Sequence, residues 1–341
     1  MVRIGVLGAG AWGTALAIVL AGNGHRVRLW TRDPEHATAL EQDRENRRHL
    51  PGCPLPETLS ATADLEKAVH GADWLLVAVP SGGFRGLLQQ LAPHHPGKIV
   101  WATKGLESGS GGFLHGVVTE TISPEPAMAV ISGPSFAAEV GRGLPTAITV
   151  AATREDLADE VVRAFHNERF RPYTSADMVG VQLGGAVKNV LAVATGVSDG
   201  LGLGANARSA LITRGLAEIS RLGAALGADT QTLIGLAGMG DLILTCTDDQ
   251  SRNRRFGFAL GRGASIDEAL GSVGSTVEGA RTAAELHELA QRYNVDMPIC
   301  RTVHQVLTGT LPLEKAVREL MERDPKPEFR NPPENSGMGS S

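Results

Sequence analysis

The sequence predicts an α/β protein in two parts, an N-terminal Rossmann-type doubly wound sheet followed by an all-α C-terminal domain. Three observations carry this reading. Short apolar, β-branched runs alternate with helical segments through the first half, the pattern of successive βαβ units. A G-x-G-x-x-G turn lies between the first run and the first helix. After Ser175 the strand signal stops, and Ala/Leu/Gly-rich helical segments take over. At roughly 150 residues per domain, a chain of 341 residues has room for about two cores. The expected organisation is 1–175 for the dinucleotide-binding domain, 176–325 for the helical substrate domain, and 326–341 for a tail. The last stretch reads DPKPEFRNPPENSGMGSS, a Pro/Gly/Ser-rich composition expected to be disordered.

The strand candidates are Val2–Leu7, Arg26–Thr31, Trp74–Val79, Lys98–Thr103, Ala127–Ile131 and Thr146–Ala151. WLLVAV at residues 74–79 is nearly all apolar, as a strand buried on both faces of a parallel sheet should be. Helical stretches between them include Gly13–Gly22, Phe84–Leu91 and Arg154–His166. In the second half, Ser209–Leu226 puts Leu211, Leu216, Ile219 and Leu222 on helical spacing, and Thr276–Tyr293 reads similarly.

Composition excludes several classes. A net charge of −5 lacks the basic footprint of a nucleic-acid-binding protein. Cys53, Cys246 and Cys300 are few, odd in number and far apart, which argues against a disulfide framework and for a reducing cytoplasm. No uninterrupted apolar run approaches the ~18 residues of a membrane span. The glycine-interrupted N-terminus is a poor signal peptide. Gly occurs 42 times without a G-X-Y period, which points to tight turns and close backbone approaches.

Gly8-Ala9-Gly10-Ala11-Trp12-Gly13 follows a strand and opens a helix. The first glycine permits the turn, the second admits a pyrophosphate, and the third lets helix and strand pack closely. Free N–H groups at the helix start then face the phosphates. At the end of the second strand, an acid would bond the ribose 2′-OH of NAD, whereas an Arg would accommodate the 2′-phosphate of NADP. Thr31 stands where the acid is expected and Arg32 follows, which favours NADP over NAD. Asp33, one residue further on, keeps the NAD reading open, and a solvated surface role for Arg32 stays open as well.

Ligands in such folds bind beyond the carboxyl ends of the strands. Lys104 lies just past one strand, and Ile131-Ser132-Gly133-Pro134-Ser135 follows the next, with Ser135 placed to begin a helix. Together they suit an anionic substrate, although Lys104 also reads as a surface charge and Ser135 as an N-cap. In the helical half, Lys188 stands in the nearly apolar stretch 184–192, where a lysine needs a partner or a route to solvent. Asp241, in Gly238-Met239-Gly240-Asp241, is a candidate partner. Ser251 reads as an N-cap with Arg252 and Asn253 in the first turn; cations there oppose the helix dipole, which a bound phosphate would relieve.

Taken together, GAGAWGTALA, the TKGLE loop, ISGPSFAAEV, GGAVKNVLA, GLGLGANARSALITRGLAE, GMGDLILTCT and QSRNRRFG resemble the bacterial NAD(P)-dependent glycerol-3-phosphate dehydrogenases, in order and spacing, to about residue 310. The resemblance implies reversible reduction of dihydroxyacetone phosphate to sn-glycerol 3-phosphate in support of glycerophospholipid synthesis. It places the catalytic lysine on Lys188, with Asp241 beside it. Substrate contacts fall on Lys104, Gly133, Ser135, Lys188, Asp241, Ser251, Arg252 and Asn253. Cofactor contacts fall on Trp12, Arg32, Lys104, Ala137, Arg252 and Glu278, beside the turn of Gly8, Gly10, Ala11 and Gly13. No metal site is expected, and the long apolar faces of the helical half suggest a homodimer.

Other readings remain open at this level. A β-hydroxyacid or 6-phosphogluconate type dehydrogenase shares the two-domain plan and a helix-borne lysine, but not the Ser251-Arg252-Asn253 segment or the GPSFA loop. A non-catalytic NADP sensor would have no use for Lys188 and Asp241. Cys246 would suit a thiol nucleophile, although free cysteines more often simply pack. The histidines at 94 and 95 read as a solvated loop.

Overall fold

The computed structural model describes residues 1–274 and 277–322; the expected tail at 326–341 and the helix start at Thr276 lie outside the described residues. The strands among the described residues are β1 (Arg3–Leu7), β2 (Arg26–Trp30), β3 (Glu45–Asn46), β4 (Leu50–Pro54), β5 (Leu59–Thr62), β6 (Trp74–Val77), β7 (Lys98–Trp101), β8 (Ala127–Ser132), β9 (Thr146–Ala152) and β10 (Phe170–Ser175). Eight form one sheet in the order β10-β9-β8-β7-β6-β1-β2-β5, and β3 and β4 form a small separate hairpin. The chain runs outward from β1 through β2 to β5, then returns to start β6 on the other side of β1. That reversal leaves a crevice at the carboxyl ends of β1 and β6, where such sheets bind ligands.

All pairings in the large sheet are parallel except one: β9 runs antiparallel to β8, with Ala129 opposite Ala152 and Ser132 opposite Thr149. The apolar run Thr146–Ala151 is the same in either direction, so its sequence does not specify orientation. The strands absent from the sequence reading are β3, β4, β5 and β10. β5 and β10 are the two edges, short or half exposed, with Pro172 inside β10 as an edge strand allows.

Burial on both faces accounts for the apolar strands. Val6, Leu76 and Val100 pack on one face with Leu16, Leu20 and Phe165, whereas Leu7, Val77 and Trp101 pack on the other with Phe84 and Leu88. Helices Ala11–Gly22 and Glu155–Phe165 supply the first layer, and Ser81–Leu91 and Leu114–Thr121 the second.

The sheet ends at Ser175, and a 23-residue helix, Met178–Gly200, starts a purely helical region. That helix is long and apolar enough to cross a membrane, yet 83% of its apolar window is buried inside the protein. It is a core helix, surrounded by Gly204–Leu226, Asp241–Thr247, Arg252–Gly261, Glu278–Arg292 and Pro298–Leu307. Its tightest neighbour is Arg252–Gly261, because both helices present glycines at the contact. A Cβ on Gly257 would lie 2.1 Å from the Val193 carbonyl oxygen, and one on Gly196 the same distance from that of Arg254. The two backbones therefore touch, and that fixes where Arg252 and Asn253 stand relative to Lys188.

Gly257→Ala must push these helices apart. A loss of ~1–3 kcal/mol is expected, as for overpacked cores, visible as a lower midpoint in urea with an unchanged slope. A midpoint equal to wild type would show that the helix contact is looser than described.

Candidate active site

The loops after β7 and β8 and the start of the Asp241–Thr247 helix meet the middle of the Met178–Gly200 helix. Lys188 projects from that helix with only 6% of its surface exposed. Its Nζ donates to Asp241 Oδ1 at 2.6 Å and to Thr245 Oγ1 at 3.1 Å. Lys104, on the loop after β7, donates from Nζ to the other carboxylate oxygen, Oδ2, at 2.7 Å and to the Gly133 carbonyl at 3.1 Å. Asp241, 1% exposed, thus sits between two ammonium groups that arrive from different halves of the chain. Ser135 turns its hydroxyl back onto the same Gly133 carbonyl at 2.9 Å. It does not begin a helix: the short helix there is Ala137–Gly141, and Phe136 precedes it.

Burial and charge act against each other here. Burial pushes the Lys188 ammonium down to about 8, an effect that Asp241 opposes and Lys104 reinforces. Burial alone would raise the Asp241 carboxyl, but the two lysines outweigh it and hold it below the ordinary carboxylate range. The result is a carboxylate that stays ionised beside a lysine able to change charge near neutral pH.

A second polar cluster lies close enough to Lys188 for its Glu278 to feel the lysine's charge. Ser251 caps the Arg252–Gly261 helix, its Oγ accepting from Arg254 N at 3.2 Å, so Arg252 and Asn253 occupy the first turn. Asn253 Nδ2 donates to Asn189 Oδ1 at 2.9 Å, and Asn253 Oδ1 accepts from Gly279 N at 2.9 Å. Asn189 Nδ2 in turn reaches Glu278 Oε2 at 3.3 Å. Burial raises the Glu278 carboxyl despite the opposing charges of Arg252, Lys188 and Lys104. Arg252 is exposed at the cleft, and its charge is felt by Glu278 on one side and by His49 of the first half on the other.

At the sheet crevice, Gly8 has φ +123°, and a Cβ on it would meet the Ala78 carbonyl oxygen at 2.6 Å. A Cβ on Gly13 would strike the Gly8 carbonyl at 1.9 Å, so this helix can start only with glycine at that position. Gly10 differs: it is exposed, and a Cβ there would meet nothing within 4 Å. The Ala11–Gly22 helix begins at Gly10 with no side-chain cap. An open backbone position in front of an uncapped helix start is what a dinucleotide pyrophosphate requires. Trp12, partly buried beside it, has its indole N–H buried without a hydrogen-bond partner among the described residues. These residues fit the cofactor.

Beyond β2, Thr31 is buried and Arg32 exposed. Asp33 is occupied: its carboxylate caps the Pro34–Asp43 helix, accepting from Glu35 N at 3.1 Å and His36 N at 3.2 Å, and pairs with Arg48 at 3.0 Å. Ala137, at the start of its helix, is half-buried.

The structure therefore brings Lys104, Gly133, Ser135, Lys188 and Asp241 into one centre, with Ser251, Arg252, Asn253 and Glu278 along its edge. Sequence reasoning did not single out Thr245 or Asn189. Thr245 follows Asp241 by one helical turn, and Asn189 is a polar residue inside an apolar helix; both signals were present. Cys246 is 0% exposed, and burial pushes its thiol up to about 12, the opposite of an activated nucleophile. Among the described residues no group of three or more His, Cys, Asp or Glu side chains is placed to hold a metal ion, and the histidines at 94 and 95 are exposed.

Two family models match the chain. One describes the N-terminus of NAD-dependent glycerol-3-phosphate dehydrogenase and covers residues 3–158; the other describes its C-terminus and covers residues 177–318. The chain is 77% identical to glycerol-3-phosphate dehydrogenase [NAD(P)+] of Halorhodospira halophila over 96% of its own length and 98% of that protein. It is 61% identical to the enzyme of the same name from Alkalilimnicola ehrlichii, over 94% and 97% of the two chains. Among solved structures, glycerol-3-phosphate dehydrogenase from Coxiella burnetii superposes with a TM-score of 0.91 at 47% identity, covering 94% of this chain and 99% of that one.

Asp241 should also be a keystone of stability. Its folded-state carboxyl lies below the ordinary range, so its contribution is present at neutral pH and is lost as the pH falls through the lowered value. Asp241→Asn leaves two ammonium groups facing each other without a counter-charge, and a loss of about 3–5 kcal/mol in denaturant unfolding at neutral pH is expected. A loss below about 1 kcal/mol would mean that Lys104 and Lys188 find other partners.

Proposed function

The chain belongs to the NAD-dependent glycerol-3-phosphate dehydrogenase family, and on that premise we propose that Lys188 is its general acid and base. Membership makes it an oxidoreductase that works with NAD or NADP. The observation that carries the assignment is the buried Lys188 ammonium, fixed by Asp241 and Thr245 and lowered to about 8.

The nicotinamide cofactor, when bound, supplies the hydride for reduction and accepts it for oxidation. Lys188 Nζ faces the substrate C2 oxygen, donates a proton to it as dihydroxyacetone phosphate is reduced, and takes that proton back when sn-glycerol 3-phosphate is oxidised. Its charge also stabilises the alkoxide as it develops, at a place already free of bulk water. Asp241 holds the lysine in place, and Lys104 joins the positive field on the far side of that carboxylate. Ser251, Arg252 and Asn253 hold the substrate phosphate. Asn253 has its carbonyl and one amide hydrogen committed to neighbours, leaving its backbone N–H and the second amide hydrogen for the ligand, next to the Arg252 guanidinium. Gly133 and Ser135 line the triose.

NADP is preferred over NAD in this reading. With Asp33 engaged in capping and with Arg48, Arg32 is the residue beyond β2 available to the ribose 2′ position. The phospholipid role follows from the product, whose phosphorylated glycerol is the backbone of glycerophospholipids. Free, buried Cys53, Cys246 and Cys300 support a cytoplasmic location. Leu201, Leu203 and Phe258, exposed on the helical half, support a homodimer.

Steady-state kinetics of dihydroxyacetone phosphate reduction test the roles together. Lys188→Ala should lower kcat by ~10²-fold or more while the variant still binds cofactor, and Arg252→Ala should chiefly raise the KM for dihydroxyacetone phosphate. Near-normal turnover in the first variant, or unchanged phosphate-substrate kinetics in the second, would contradict the corresponding role.

A further inference from the structure

The β3–β4 hairpin contributes one side chain to the heart of the cofactor domain. Asn46 is 1% exposed, and its amide is fully used. Nδ2 donates to the Ala9 carbonyl at 2.9 Å and to Thr14 Oγ1 at 2.8 Å. Oδ1 accepts from His49 N at 3.1 Å and faces His36 Nε2 at 3.1 Å. The orientation is forced, since a carbonyl can only accept and a backbone N–H can only donate. His36 must therefore carry its proton on Nε2, which leaves Nδ1 toward Thr31 Oγ1 at 3.4 Å. Thr14, Thr31 and His36 are themselves buried.

These partners lie on separate pieces of the cofactor cleft. Ala9 lies within the glycine-rich turn, and Thr14 is on the helix that follows it. Thr31 immediately precedes Arg32, and His36 is in the helix capped by Asp33. We propose that Asn46 is a positioning residue for cofactor binding, locking the glycine-rich turn to the loop that carries Arg32 so that the pyrophosphate and adenosine ends meet one pre-assembled surface. The inference rests on the reading of Gly8–Gly13 as the pyrophosphate cradle. Asn46 touches no cofactor atom in this account; it acts through the Ala9 carbonyl and the His36–Thr31 contact. Without it, three buried polar groups, the Ala9 carbonyl, Thr14 Oγ1 and His36 Nε2, lose a partner and the two loops move independently, so part of the ordering must be done by the cofactor at the moment of binding.

The test uses the full chain, with NADH and NADPH titrated separately by nicotinamide fluorescence. NADH lacks the 2′-phosphate, so its affinity reports on the turn independently of Arg32. Asn46→Ala should raise Kd for both cofactors by about tenfold or more, with kcat at saturating cofactor and KM for dihydroxyacetone phosphate within about twofold of wild type. An unchanged Kd, or a kcat that falls in step with affinity, would overturn the positioning role. Should Asn46→Ala fail to fold, His36→Leu and His36→Gln decide. The leucine should weaken both cofactors, and the glutamine, which restores an N–H toward Asn46, should recover most of the loss; equal weakening by both would overturn it. Gly10→Ala separates the two layers, because its added methyl meets open space in the protein but intrudes on a pyrophosphate. Normal NADH binding by that variant would overturn the cradle reading and the inference with it. Weakened binding there alongside an unaffected Asn46→Ala would overturn the inference alone.

Discussion

Asp241 sits with each carboxylate oxygen against a different lysine, Lys188 from the helical core and Lys104 from the loop after β7. The Lys188 ammonium could not occupy so buried a position alone, since the cost of desolvating an isolated charge would drive it to neutralise or leave. The carboxylate holds Lys188 there and takes Lys104 on its other oxygen, and in doing so it ties the sheet half to the helical half at the centre of the proposed active site. Other features support that contact. The glycines of the Met178–Gly200 and Arg252–Gly261 helices bring the Ser251–Asn253 turn against the helix that carries Lys188, and Asn253, Asn189 and Glu278 join the two by hydrogen bonds.

The two ligand ends are built on different principles. At the crevice between β1 and β6 the protein offers backbone: an exposed Gly10 before an uncapped helix start, with no charged side chain in the turn itself. At the end proposed for the substrate it offers charge, with Arg252, Lys104 and Lys188 all acting on Glu278 in a chain whose net charge is −5. A local group of cations in a chain of negative net charge suits the anionic substrate proposed above without making the whole protein a polyanion binder. The abundance of glycine belongs to the same design, because several of the site's distances require two backbones to touch.

Much of this was legible in the sequence. The buried parallel strands announced themselves through runs such as WLLV at β6, and the Gly8–Gly13 turn is specific once a strand precedes it and a helix follows. Lys188 was conspicuous as a cation in an apolar helix, and Asp241 as an acid in an apolar, glycine-rich run. What stayed hidden has physical reasons. Edge strands β5 and β10 need no continuous apolar pattern, having one side unpaired. The hairpin of β3 and β4 contains Pro51, Gly52 and Pro54 and reads as a loop; Asn46, whose partners lie up to 37 residues away in sequence, anchors it. The direction of β9 leaves no trace in its composition. The second lysine on Asp241 was equally unreadable, because Lys104 lies 137 residues from its partner and only the fold brings them together.

The central claim is that burial against Asp241 tunes Lys188 to exchange a proton near neutral pH. It is tested most directly by the pH dependence of turnover in both directions, with cofactor and substrate saturating. Reduction needs the ammonium, so its kcat should fall as pH rises through about 8; oxidation needs the neutral amine, so its kcat should rise through the same region. Opposed limbs near that pH are the predicted result. Profiles flat in both directions between about pH 7 and about pH 9 would contradict it, since a lysine left at its ordinary value near 10.4 would show no such limbs in that window.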